Sequence, residues 1–210
     1  SLSVGVYAYD YNALSMCLLK QLNENGCSVQ LNISEVQENE VVSRLIDGDM
    51  DIGVGVAFAD RHLAYQSLAK ANGLRFEVLC QDQAYLYVSG RSALAEEQSV
   101  RLEDLREEQF VTTVNNFKPF KDAGFHRRIP KYCILSNTAA VIQSIVENNT
   151  VTLLPQRTMR DNPFLRGGTI RQIPIENVSS RGTHYVVYRP DRLTAPEQLL
   201  VEAVRAFYQT

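Results

Sequence analysis

Apolar and polar positions along this chain follow two alternating periods. Leu2 to Tyr7 (LSVGVY) is short, rich in β-formers and bounded by polar residues, so it predicts a strand. Asp10 or Asn12 then offers a helix cap, and Leu14, Cys17, Leu18 and Leu22 recur at helical spacing up to a stop at Gly26. Val29 to Ile33 alternates as a second strand. Glu38 and Glu40 fall where the first turn of a helix welcomes negative charge. Val41, Val42, Leu45 and Ile46 form that helix's apolar face, and Gly48 ends it. Asp51 to Ala57 (DIGVGVA) is nearly all apolar, as expected of a strand covered on both faces. The chain therefore opens as β-α-β-α-β, the pattern of an open parallel sheet.

The middle repeats the theme. Arg75 to Cys80 and Ala84 to Ser89 predict strands separated by the polar stretch Gln81-Asp82-Gln83. Leu102 to Glu107 reads as a short helix feeding a strand over Phe110 to Thr113, and Lys118 to Arg128 as a weaker helix. Phe117, Phe120 and Phe125 fit a core stripe better than a cofactor box. A short strand follows at Cys133 to Leu135. Thr138 then caps a helix with Val141, Ile142, Ile145 and Val146 as its face. Val151 to Leu154 is a strand stopped by Pro155, and Ile170 to Ile175 and His184 to Tyr188 are the last two strands. Thr194 with Glu197 three residues on makes a capping box before a helix striped by Leu199, Leu200, Ala203, Val204 and Phe207.

Composition narrows the class. The 210 residues suffice for one large domain or two small ones, and 45% hydrophobic with 21% charged residues excludes a disordered, collagenous or coiled-coil chain. Lys and Arg total 21 against 24 Asp and Glu, so the net charge of -3 lacks the basic surplus of a free-standing nucleic-acid binder. No apolar run approaches the roughly 20 residues of a membrane helix, and no basic start leads into an apolar segment. A cytoplasmic protein without membrane association is therefore expected. The start at Ser1 rather than Met predicts an excised fragment. Cys17, Cys27, Cys80 and Cys133 lie far apart, as do His62, His126 and His184. Neither a metal site nor a disulfide framework is expected, and no cofactor. The cysteines read as small buried apolar residues plus one or two surface thiols. Gly53-Val54-Gly55 lacks the third glycine of a dinucleotide fingerprint.

Several segments together resemble the effector-binding domain of LysR-type transcriptional regulators. Leu45 to Gly55 (LIDGDMDIGVG) is similar to that family's leucine, glycine and aspartate pattern before an apolar strand. Ser99 to Phe110 (SVRLEDLREEQF) resembles its connector helix. Ser136 to Pro155 (SNTAAVIQSIVENNTVTLLP) resembles its capped helix and the strand ending in Leu-Pro, and Arg189-Pro190 and the last helix also fit. The departures are Glu147-Asn148-Asn149-Thr150 where small residues are usual, and Cys27-Ser28 where a proline is usual. Asn149 tolerates the left-handed end of a helix, so the fold survives. Val111 to Arg128 contains no cysteine, so the redox mechanism of the peroxide-sensing branch is not supported.

The resemblance implies an α/β fold of the type 2 periplasmic-binding-protein class. It would have two Rossmann-like lobes with a ligand cleft between them, lobe I from residues 1–80 plus 183–210 and lobe II from 81–182. It also implies a homodimer or tetramer, and DNA contact only through a winged helix-turn-helix absent from this chain. Ligands of open α/β sheets bind beyond the carboxyl ends of strands. That rule selects the loop 8–12 with Tyr9, Asp10, Tyr11 and Asn12, then Glu38, then Phe58. In the second lobe it selects Thr113, Asn115 and Asn116, then Thr138. For Asp10, Asn12 and Thr138 a capping role competes, and for Glu38 that of a solvated first-turn acid. Amide, tyrosine, threonine and asparagine donors suit a small carboxylate, which Asp10 and Glu38 would oppose. The expected function is a ligand-sensing regulatory domain, not an enzyme. The alternative is a solute-binding protein of a membrane transporter. A metabolic enzyme is a third reading, with no nucleophile and base at workable spacing.

Overall fold

A computed structural model describes residues 1–7 and 9–210; Ala8, at the head of the first candidate loop, lies outside the described residues. The chain divides into two compact units. The first is Ser1–Gln81 with Gly182–Thr210, and the second is Asp82–Arg181.

In the first unit, β1 (Leu2–Val6), β2 (Leu31–Glu35) and β3 (Ile52–Phe58) are joined by α1 (Tyr11–Glu24) and α2 (Glu40–Ile46). Both β2 and β3 pair with β1 in parallel, as the β-α-β-α-β reading requires. A helix not legible in the sequence, α3 (Arg61–Ala71), leads to β4 (Arg75–Ser89). The sheet order runs β2-β1-β3-β9-β4, where β9 (Arg181–Tyr188) returns antiparallel against β3. One face buries Leu14, Leu18 and Leu22 of α1 with Leu200, Val201 and Val204 of α9 (Ala195–Gln209). The other face packs Val41, Val42 and Leu45 of α2 with Ala69 and Tyr185. Gly53 and Gly55 serve this packing rather than a phosphate. A Cβ at Gly53 would stand 2.9 Å from the Val41 carbonyl oxygen, and one at Gly55 would stand 2.7 Å from the Tyr185 hydroxyl.

In the second unit the later half of β4 is flanked by antiparallel β8 (Ile170–Ile173) and β7 (Val151–Pro155). Beyond β7 lie β5 (Phe110–Thr113) and the edge strand β6 (Tyr132–Leu135), both parallel to it in sense. The expected weak helix over 118–128 is two helices, α4 (Phe117–Asp122) and α5 (Phe125–Arg128). Gly124 parts them at a φ of 77°. Phe120 is buried, stacked on Phe117 and edge-on to Phe125, as a core stripe should be. α6 (Thr138–Asn148) ends at Asn149 in the left-handed region, φ 53°, which supplies the stop usually left to glycine. Two short helices escaped the sequence reading, α7 (Gln156–Met159) and α8 (Pro163–Arg166).

Further details correct the sequence-based expectations. The break expected at Gln81-Asp82-Gln83 is absent, because β4 is one continuous strand. Its polar residues find polar partners. Gln81 accepts from the Thr183 hydroxyl at 3.1 Å, and the Asp82 carboxylate takes the backbone N–H of Gln83 at 2.7 Å. Pro155 does not stop β7 but belongs to it, opposite Ala84. None of the four free cysteines is fully buried. Cys27 and Cys80 pack against the first core, and Cys133 is exposed on the edge strand.

Candidate functional site

The carboxyl ends of β1, β2 and β3 carry the candidate loops of the first unit. After β1, Tyr7 is buried and meets Tyr9 edge to face, centroids 6.1 Å apart. Asp10 occupies the N-cap position of α1 but its side chain makes no cap bond. It is instead buried, accepting from the Tyr208 hydroxyl of α9 at 3.2 Å. Tyr11 donates its hydroxyl to the Ile33 carbonyl at 2.9 Å, tying α1 to β2. Asn12 is exposed on the first turn of α1 and is not its cap.

After β2 the two acids take different roles. Glu40 lies in the first turn of α2 and accepts the Gln37 N–H at 2.8 Å. Glu38 precedes the helix and is no solvated acid, for its side chain is only 5% exposed. Burying a carboxylate is costly without a partner. Arg61, the first residue of α3, supplies it by donating Nε at 2.8 Å and Nη2 at 3.0 Å to the two carboxylate oxygens. The Tyr65 hydroxyl, one turn along α3, adds a third donor at 3.2 Å. The arginine side chain itself stays 43% exposed. Burial opposes its charge, but the Glu38 bonds outweigh that and raise its pKa.

The surroundings of this pair are aromatic. Tyr185 stacks on Phe76 at 4.5 Å and faces Tyr65 at 6.3 Å. Its hydroxyl is buried and has no hydrogen-bond partner among the described residues. Burial, then nearby charge including that of Glu38, pushes the phenols of Tyr7, Tyr9 and Tyr185 up. They remain O–H donors throughout the neutral range. Phe58, last in β3, is half-buried with its ring over Gly182. The β3–α3 turn passes through Ala59 at φ 54°, a conformation rare for a residue with a Cβ.

In the second unit β5 ends at Thr113, whose buried hydroxyl accepts the Asn116 N–H at 3.3 Å. Asn115 is half-buried in the same turn. Asn116 is itself buried, and its Oδ1 has no partner among the described residues. After β6, the cap of α6 is Asn137 rather than Thr138. Asn137 Oδ1 accepts the Ala140 N–H at 2.9 Å. Thr138 is the first helical residue and half-buried. The N–H groups of Thr138 and Ala139 are without partners among the described residues, and no acidic residue lies in that first turn. This is a positive helix pole with open donors.

The candidates thus form two groups, each at the carboxyl end of its own sheet. The sequence reading missed Arg61 and Tyr65, which lie on the unread helix α3. Asp60-Arg61-His62, directly after a buried strand, was the available signal. Among the described residues no three His, Cys, Asp or Glu side chains are grouped to hold a metal ion, and no helix is long and apolar enough to cross a membrane.

A family model described as the LysR substrate binding domain matches residues 1–209. No curated protein matches the chain by sequence. Among solved structures, the fold is similar to the regulatory domain of MetR, a LysR family regulator from N. meningitidis. That likeness has a TM-score of 0.75 at 18% identity, covering 98% of this chain and 92% of that one. The reduced OxyR regulatory domain from Pseudomonas aeruginosa gives 0.67 at 17%, covering 98% and 95%. Against full-length OxyR from the same organism the values are 0.65 and 16%, with 99% of this chain but 64% of that one covered.

Proposed function

The chain belongs to the family of LysR substrate-binding domains, and from that premise we propose that its effector is a small acidic metabolite. It is a ligand-sensing regulatory domain of a LysR-type transcriptional regulator. The observation that carries the acidic effector is the start of α6. Unpartnered N–H groups at Thr138 and Ala139, with the Thr138 hydroxyl beside them and no acid in the turn, favour an anion. Thr113, Asn115 and Asn116 supply further polar groups at the neighbouring carboxyl end of β5. Tyr9, Asp10, Tyr11, Asn12, Glu38 and Phe58 are the corresponding set of the first unit. Of the two tyrosine hydroxyls in this set, that of Tyr9 is the one left to serve, because that of Tyr11 is given to the Ile33 carbonyl.

The module acts by binding and performs no chemistry on its ligand. It works as a homodimer or tetramer and meets DNA only through a separate DNA-binding domain. A ligand can shift a regulator's state only by its differential affinity, typically about 1–3 kcal/mol. A thermal-shift screen of organic acids and amines tests the ligand class. An acid present at about 100 times its Kd should add about 2.7 kcal/mol of stability. Stabilisation by amines with none by any organic acid would overturn the acidic effector.

A further inference from the structure

The start of α6 leaves the charged cluster of the first unit without a task. We propose that Arg61 is an anion-binding residue of this module, held by Glu38 so that its free edge takes a carboxylate of the effector. The inference rests on the acidic effector proposed above.

A guanidinium carries five N–H donors in a rigid fork. Glu38 accepts from Nε and from Nη2. Nη1, and the second hydrogen of Nη2, have no partner among the described residues. The side chain is 43% exposed while its carboxylate partner is 5% exposed. A pair serving stability alone needs no such asymmetry. Here one edge of the fork is anchored in the fold and the other faces water. The anchor is itself held, since Tyr65 donates to the same Glu38 oxygen that receives Nε. An arginine fixed on one edge meets a carboxylate in bidentate fashion with little further loss of freedom.

The backbone favours the same ligand. Arg61 opens α3, a helix of 11 residues with no acid in its first turn. The N–H groups of Arg61 and His62 have no partner among the described residues. In the same first turn His62 Nδ1 is a buried polar atom without a partner among the described residues. Asp60 is exposed, where water screens its charge. An ammonium ligand is disfavoured, because it would have to displace a guanidinium already bonded twice to Glu38. Glu38, expected from the sequence to touch effector, is on this reading a positioning residue that acts through Arg61.

The test uses the ¹⁵N-labelled chain and follows the arginine Nε–H and backbone amide signals during titration with propionate, succinate and, as a cation control, butylammonium. Arg61 Nε–H and the Arg61 and His62 amides should shift with a carboxylate and stay still with butylammonium. Arg61→Gln should raise the Kd of that carboxylate at least threefold, and Arg61→Lys should recover only part of the loss. Glu38→Gln should weaken binding and broaden the Arg61 Nε–H signal while the thermal melt stays cooperative. If Glu38→Gln does not fold, the two Arg61 variants decide alone. Shifts at Thr138 and Ala139 with none at Arg61 would overturn this inference and leave the α6 reading standing. Shifts at Arg61 with none at α6 would do the reverse. Full affinity in Arg61→Lys, a response to butylammonium, or no response to either carboxylate would each overturn it.

Discussion

At the carboxyl end of the first sheet three candidate side chains already hold partners: Asp10 on Tyr208, Tyr11 on the Ile33 carbonyl, Glu38 on Arg61 and Tyr65. At the carboxyl end of the second sheet the groups stand open, with two bare N–H groups on α6 and an unpartnered Asn116 oxygen. Desolvation explains the difference. A charge taken out of water must be met within the fold, whereas a helix's first N–H groups can wait for a ligand at small cost. Charged recognition must therefore be built into the core, while recognition by the backbone comes with any capped helix. Mutating the charged pair of the first unit would cost stability and binding together, whereas mutating the open donors of the second would cost binding alone.

The largest expected effect breaks the first half of that comparison. Glu38→Ala strands the Arg61 guanidinium and takes one acceptor from the Tyr65 hydroxyl. Breaking a fully buried pair costs about 3–5 kcal/mol, and because Arg61 can turn to water the expected loss is about 2 kcal/mol. Urea unfolding measures it, and a midpoint unchanged from wild type would mean the pair is no anchor. Next, Asn137→Ala should cost about 1 kcal/mol as a lost helix cap. Thr138→Ala should cost under about 0.5 kcal/mol and instead weaken effector binding. Equal losses in the two variants would erase the distinction between the cap and the open donors.

The smallest effect concerns an exposed pair in the second unit. Arg128, together with the Asn177 amide at 2.8 Å, holds the Glu103 carboxyl down to about 2. A carboxylate whose folded pKa lies below its ordinary 4.5 stabilises above that pH, and its contribution is lost as pH falls from 4.5 toward 2. The Tm difference between wild type and Glu103→Gln should therefore be small at pH 6, vanish near pH 2, and shrink in 1 M salt, where the screening length is about 3 Å. A difference that grows on acidification would contradict the sign.

Elements that bury a regular stripe were legible in the sequence. α9 shows the Thr194–Glu197 capping box, with the Thr194 N–H on Glu197 at 2.6 Å, and buries Leu200, Val201 and Val204. Each such side chain contributes about 1.5–3 kcal/mol on burial, so the stripe is strong enough to read. α3 buries only Ala69 and exposes Leu63 and Leu68, so its periodicity is blurred. The run Gln81-Asp82-Gln83 looked like a break because its strand partners for hydrogen bonding, such as Thr183, lie far along the chain. The same limit hid Asn137 behind Thr138, since either residue type can cap and only the backbone angles choose.

By itself the sequence determined the order and period of strands and helices, the parallel start of the first sheet and the loops at strand ends. These follow from which positions are apolar, and that is written locally. Only the tertiary structure decided that Glu38 is buried, that its partner is an arginine 23 residues away, and that one edge of that arginine is left free. A charge's partner depends on which elements fold side by side, and no periodicity along the chain encodes that meeting.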